Sequence, residues 1–436
     1  MTPSPVSRRS WLKNITVGMT GLLAAERLGR AAEAPAPTSR ALADPRAALK
    51  ITRLEIIPVN SLRTIFVKLH TDAGIVGIGE GTVEGRIGTV VAAIKELEDY
   101  LIGKDPRQPA HHWQAIYRQA FYRGDIILTS ALSAVDIAMW DIKGKALGVP
   151  VYELLGGPTR DRIRVYGQAE SPQAARNIVA EGYTSMKTST TDSRGRPSRY
   201  SENPDFIEGL VEKVASIREV VGPKFDLGIE MHADHQPQVA MVIIKALEKF
   251  SPWFFEEPIQ HQNLPLMAEM AKKTHIPFAT GERLVTKWQF RDVLSFGSAQ
   301  FLQPDITHCG GITELKAIAT LAEAYYAAML PHSREGIVGS VASMHVCATI
   351  PNLLAHELPS LQAATGGRPV ERSYLGKSYI TKPLTMTAGH IVLQGNIDGP
   401  GLGITLDENL IENERGVPEW EFPARWDAFD GSVLDH

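Results

Sequence analysis

Asp226-Leu-Gly-Ile-Glu230, Pro252-Trp-Phe-Phe-Glu256 and Pro277-Phe-Ala-Thr-Gly-Glu282 decide how this chain is to be read. Each is a short apolar run closed by a glutamate. The pattern continues in Phe301-Leu-Gln-Pro-Asp305, Ala328-Met-Leu-Pro-His332 and Asn352-Leu-Leu-Ala-His-Glu357. The closing residues recur about every 25 positions, the length of one β-strand plus its return helix in a (β/α)8 barrel. Residues at the C-terminal ends of such strands converge on one mouth. Three glutamates followed by an aspartate and a histidine at that mouth point to a metal site beside a proton-transfer group.

Working outward, strands are expected at Ile163–Tyr166, Ser185–Thr188, Phe225–Met231, Trp253–Glu256, Phe278–Gly281, Phe301–Gln303, Ala327–Leu330 and Leu353–His356. Amphipathic helices such as Val239–Lys249 and Glu314–Ala327 lie between them. Eight strands alternating with helices favour an α/β fold with a parallel barrel. An open doubly wound sheet is the other option, but no glycine-rich phosphate fingerprint follows the first strand. Residues 48–160 read instead as an α+β domain. Its strands are Ile51–Val59, Thr64–Leu69 and Ile75–Gly79, followed by helical patterns at Ile87–Leu101, His112–Phe121 and Thr129–Leu147. The expected division is an export segment and linker over 1–47, the α+β domain over 48–160, the barrel over 161–365, and a Gly/Pro-rich segment over 366–436 that returns to the α+β domain.

The 436 residues are enough for a barrel plus a second domain with a large core. A hydrophobic content of 44% and a charged content of 22% are ordinary for a globular enzyme. A net charge of −4 gives no reason to expect nucleic acid or an acidic membrane surface as partner. Cys309 and Cys347 belong to no CxxC pattern and read as reduced buried thiols. No apolar run reaches the length of a membrane span. Ser7-Arg-Arg-Ser-Trp-Leu-Lys13, a modest apolar stretch from Ile15 to Ala25, and Ala31-Ala-Glu-Ala-Pro-Ala36 follow the order of a twin-arginine export signal. A periplasmic or otherwise exported protein is therefore expected, with a cytoplasmic location as the alternative.

Glu230, Glu256 and Glu282 offer hard oxygen ligands, which suit Mg2+ better than zinc. Glu257 should point away from the ligand set, because side chains alternate along a strand. Asp305 and His332 end neighbouring strands, so the carboxylate can fix one imidazole nitrogen and leave the other to take a proton. His232 shares a strand face with Glu230; it is a second metal ligand, a solvated loop histidine or a general acid, the last being favoured. Lys187 ends the second barrel strand and is either a contact for a substrate carboxylate or a structural lysine. Glu357 is a hydrogen-bonding or electrostatic helper, with a packing role still open.

These motifs, with Phe255-Glu-Glu-Pro258, Gly281-Glu-Arg283, Gln303-Pro-Asp-Ile306, Gly310-Gly311 and Pro331-His-Ser333, resemble the mandelate racemase branch of the enolase superfamily. Within it, Tyr100-Leu-Ile-Gly-Lys-Asp-Pro106, Phe121-Tyr-Arg-Gly124, Met139-Trp-Asp-Ile-Lys-Gly-Lys145, Leu155-Gly-Gly157 and Gly399-Pro-Gly-Leu-Gly403 are most similar to the galactonate dehydratase family. The resemblance implies a capping domain over a modified barrel, one Mg2+ on Glu230, Glu256 and Glu282, and proton abstraction α to a carboxylate by His332, paired with Asp305. It makes His232 the acid for a departing 3-hydroxyl and Glu357 an assistant. The implied reaction converts a galactonate-like sugar acid to a 2-keto-3-deoxy acid. The implied partners are that small molecule and, in a homo-oligomer, further copies of the chain. Three departures stand out. Glu230 occupies a position where these dehydratases have Asp, and Ser189 one where they have Asn. Lys187-Thr-Ser189 replaces the K-x-K of two-base racemases. The alternatives are an epimerase or racemase of an α-hydroxy acid and a non-catalytic sugar-acid-binding relative.

Overall fold

The computed structural model describes residues 48–59, 64–190, 204–333, 336–358 and 379–417, with Leu42, Asp44, Ala47 and the short pairs 425–426 and 433–434. The expected export signal and residues 60–63 lie outside the described residues. Among the described residues, no helix is long and apolar enough to cross a membrane.

Three antiparallel strands come first: β1 (Ile51–Val59), β2 (Thr64–Thr71) and β3 (Val76–Glu80). The long helix Ile126–Leu147 lies on this sheet. Asp125 caps its start by accepting from the Ile127 and Leu128 N–H groups, and Gly148, at φ +73°, ends it. Gly79 permits the close approach, since a Cβ there would lie 1.9 Å from the Ala134 carbonyl oxygen. Leu49, Ile65, Val67, Trp113, Ala134 and Met139 belong to the core formed between them.

Eight parallel strands follow: β4 (Arg162–Gln168), β5 (Ser185–Ser189), β6 (Asp226–Glu230), β7 (Phe255–Glu256), β8 (Phe278–Thr280), β9 (Phe301–Leu302), β10 (Ala328–Met329) and β11 (His356–Glu357). They pair in sequence order from β4 to β10. β11 pairs in parallel with β4, and a parallel bridge from Met329 to Leu353 joins the last two strands. The sheet therefore closes into a barrel, as the spacing of polar strand ends predicts. All eight expected strands are present. Several are shorter than their apolar runs: β7 keeps only Phe255–Glu256, and β11, at His356–Glu357, starts at the last residue of its expected run. A hairpin of β12 (Met386–Thr387) and β13 (His390–Val392) then pairs antiparallel with β4. Further on, Gly416 N–H donates to the Pro58 carbonyl at 3.0 Å, and Arg415 pairs with Glu55 at 2.9 Å. These contacts bring the late segment back onto the first sheet.

Two buried carboxylates of the N-terminal region reach helices of the barrel. Helices Gly311–Ala324 and Ile337–Thr349 begin at Gly310 and Gly336, which offer no capping side chain. Their first N–H groups still require acceptors. Asp136 accepts from Thr313 N–H at 3.0 Å and its hydroxyl at 2.6 Å, while Glu80 accepts from Gly339 N–H at 2.8 Å and the Thr64 hydroxyl at 2.6 Å. A Cβ on Gly336 would come within 2.0 Å of Glu80 Oε1, so the glycine makes room for this cap.

Candidate active site and metal centre

The polar strand ends meet at the barrel mouth. Glu230 closes β6 and Glu256 closes β7, in register as parallel neighbours; Glu282 lies two residues past β8. One oxygen from each of the three falls within 4.8 Å of the others. Glu230 and Glu256 are fully buried, whereas Glu282 is partly exposed and so marks the open side.

Lys187, from β5, enters the same cluster. Its ammonium donates to Glu230 Oε2 at 3.0 Å and Glu256 Oε1 at 2.8 Å, and stands 3.3 Å from Glu357 Oε1. The lysine is buried, yet its pKa is driven well above the usual value: burial opposes the charge, but Glu256, Glu357 and Glu230 outweigh it. A single ammonium does not balance these carboxylates. Burial, then the charge of Glu230, raises Glu256 well above the ordinary range, while Glu230 itself is held low, against its burial, by His232 and Lys187. Glu256 Oε2 is buried without a hydrogen-bond partner. An orphaned carboxylate oxygen among converging hard donors, with negative charge in excess, fits a hard divalent cation.

Next to the triad, His332 Nδ1 lies 2.8 Å from Asp305 Oδ2. Asp305 Oδ1 is occupied by the Thr307 N–H at 2.7 Å and the Thr307 hydroxyl at 2.6 Å. Despite burial, His308, the His332 bond and Thr307 keep Asp305 well below the usual carboxylate range. The second imidazole nitrogen, Nε2, lies 3.4 Å from Glu282 Oε2 and 3.9 Å from Glu357 Oε2. Burial works against the imidazolium, but Glu357, Asp305 and Glu282 raise the pKa of His332 well above normal. Glu357 is tied down by the Ser333 N–H at 3.3 Å and the Tyr166 hydroxyl at 3.5 Å.

His232 sits beyond Glu230 in a left-handed turn, with φ +48° at His232 and +55° at Ala233. Its N–H donates to Glu230 Oε1 at 2.9 Å, and its Nδ1 is shielded, 4.0 Å from the same oxygen. Glu257 is not one of the three converging carboxylates and pairs with Arg283 at 2.8 Å.

Each residue singled out from the sequence thus lies at one mouth. Lys187 is placed against the triad and Glu357 rather than standing apart from them. Sequence reading passed over Tyr166, which closes its apolar run with an aromatic ring instead of a charge. It also passed over Thr307, whose place two residues after Asp305 is the available signal.

The chain matches the family model for the mandelate racemase / muconate lactonizing enzyme N-terminal domain over residues 40–156, and the enolase C-terminal domain-like model over residues 170–410. The chain belongs to the mandelate racemase and muconate lactonizing enzyme family of the enolase superfamily. It is 37% identical over 393 residues to a D-galactonate dehydratase of Pectobacterium atrosepticum, covering 88% of this chain and 99% of that one. A D-galactonate dehydratase of Ralstonia nicotianae is 38% identical over 395 residues, with 89% and 100% covered. Among solved structures, an enolase from Agrobacterium radiobacter with Na and L-malate bound superposes with a TM-score of 0.80 at 29% identity, covering 88% of this chain and 99% of that one. A member of the enolase superfamily from Salmonella Typhimurium gives 0.76 at 30% identity, with 84% and 98% covered.

Proposed function

We propose that this protein is a sugar-acid dehydratase that converts a galactonate-like aldonate to a 2-keto-3-deoxy acid. The observation that carries the reading is the His332–Asp305 pair, bonded at 2.8 Å through Nδ1, with Nε2 turned toward the carboxylate cluster. Similarity to the D-galactonate dehydratases over nearly the whole chain supports the reaction class.

In this proposal His332 Nε2 takes the proton from the carbon α to the substrate carboxylate. Asp305 orients the ring and stabilises the imidazolium. The electron pair left by the broken C–H bond expels the 3-hydroxyl, which departs as water with a proton from His232. The resulting enol then becomes the ketone. Glu230, Glu256 and Glu282 would hold Mg2+, which when bound stabilises negative charge developing on the substrate carboxylate. Lys187 offsets the buried charge of Glu230 and Glu256, and Glu357 adds a polar contact beside the base.

The test is incubation of the purified protein and Mg2+ with a panel of aldonic and aldaric acids, with keto acid trapped by semicarbazide and deuterium incorporation followed in D2O. Keto-acid formation from an aldonate supports the reading. Labelled hydroxy acid without keto acid would instead identify an epimerase, and metal-dependent binding with neither product a binding protein. The twin-arginine reading of the N-terminus forms part of the proposal; Arg8→Lys with Arg9→Lys should prevent export, and unaltered export refutes it.

A further inference from the structure

Arg283 follows Glu282 directly, and its side chain reaches from that carboxylate to the residues beyond the neighbouring strands. Nη2 donates to the His232 carbonyl at 2.9 Å, Nε lies 2.8 Å from Glu257 Oε2, and Nη1 donates to Gln260 Oε1 at 3.3 Å. Nε is also 3.4 Å from Glu282 Oε1. One guanidinium thus links the residues beyond β6, β7 and β8. The planar fork of arginine has donors for several directions at once, whereas a lysine ammonium concentrates its charge at one point.

The segment it grips is strained. His232, Ala233 and Glu257 all have positive φ, at +48°, +55° and +41°. Residues other than glycine rarely adopt such angles, and they persist only where the surroundings over-determine them. Here Ala233 N–H donates to the Glu257 carbonyl at 2.7 Å, and His232 N–H donates to Glu230. Arg283 completes the set by holding the His232 carbonyl and the Glu257 carboxylate together. Without it, both strained positions lose a tether on the same side.

We propose that Arg283 is a positioning residue for proton delivery: it fixes the left-handed turn at His232 and Ala233, and with it the direction in which the His232 imidazole faces the departing hydroxyl. The inference rests on the dehydratase reading for its catalytic consequence, and on geometry alone for the turn.

The experiment uses the full chain with Mg2+ and D-galactonate, and the variants Arg283→Met, Arg283→Lys, His232→Asn and the double variant Arg283→Met/His232→Asn. Keto-acid formation, α-proton exchange in D2O and Mg2+ affinity are measured, together with backbone chemical shifts of residues 231–234. In Arg283→Met, keto-acid formation should fall by about 100-fold, the scale of a misplaced catalytic group. With Mg2+ saturating for each variant, since Arg283 also donates to Glu282 Oε1 at 3.4 Å, exchange should stay near wild type and the 232–233 shifts should move. Arg283→Lys retains a charge opposite Glu257 and should keep the protein's stability but not the elimination rate. The double variant should be no slower than His232→Asn alone. Proportional loss of exchange and elimination, additive losses in the double variant, or unmoved 232–233 shifts would each overturn the proposal. If the wild-type protein forms no keto acid, the dehydratase reading fails, while the shifts still decide whether Arg283 holds the turn.

Discussion

Replacing Asp305 by Asn isolates the base from the rest of the site. Asp305 Oδ1 receives two donors from Thr307, at 2.7 Å from the backbone N–H and 2.6 Å from the hydroxyl. The backbone N–H can only donate, so the asparagine oxygen must stay there and its NH2 must take the place of Oδ2. That NH2 then donates to His332 Nδ1, which becomes an acceptor, and the ring proton moves to Nε2. The nitrogen beside Glu282 and Glu357 can no longer take a proton. The lost charge has a matching magnitude: unit charges about 4 Å apart at an effective dielectric of about 20 interact by about 4 kcal/mol. That corresponds to about 1000-fold in rate, within the range for a positioned acid–base group. The assay is NMR of α-proton exchange in D2O with D-galactonate, alongside keto-acid formation and Mg2+ titration. Both rates should drop about 1000-fold, with Mg2+ affinity little changed because Asp305 lies outside the triad. Exchange within about tenfold of wild type would refute the tautomer argument.

Other expectations follow from the same geometry. His232→Asn should slow elimination while leaving exchange measurable; unchanged keto-acid formation removes it from the acid role. Saturating Mg2+ at about 100 times its Kd should stabilise the wild-type protein by about 2.7 kcal/mol in calorimetry, and Glu256→Gln should abolish most of that shift. Metal-free Glu256→Gln should be no less stable than metal-free wild type, since burial and Glu230 already disfavour the Glu256 charge; equal Mg2+ shifts in both proteins exclude the ligand role. Burial raises Glu80 from 4.5 to about 7, against its bonds to Thr64 and Gly339. The folded state therefore holds a proton between those values that the unfolded chain has lost, and stability falls as pH rises through the window. Denaturant midpoints of Glu80→Gln should gain on wild type from about pH 5 to pH 8, and parallel curves would contradict the assignment. Gly336→Ala should lower stability by about 1–3 kcal/mol through overpacking against Glu80, and an unchanged melting temperature would show that the contact is not tight.

Much of the site was legible because strand ends and site residues coincide. An apolar run ending in a charged residue is a local signal, and its recurrence at strand-plus-helix spacing identified Glu230, Glu256, Glu282, Asp305, His332 and Glu357 together. Lys187 was legible as a polar strand end but not as the partner of Glu230 and Glu256, because those contacts depend on closure of the barrel. Glu80 and Asp136 read as ordinary charges within their own segments. Their roles emerge only where helices that lack capping side chains come against the N-terminal region.

The sequence by itself determined the architecture and the chemical inventory: eight strands, their polar ends, and a set of oxygen and imidazole groups suited to metal binding and proton transfer. Alternation along a strand and strand-plus-helix repetition are local properties, so composition and spacing carry them. Only the tertiary structure decided which atoms of those groups meet. The Met329–Leu353 bridge and the β11–β4 pairing close the ring. Closure places Lys187 among the carboxylates, leaves Glu256 Oε2 without a partner, and lets Arg283 span three strand ends. Those contacts are long-range in sequence and directional in space, and the linear pattern encodes neither property.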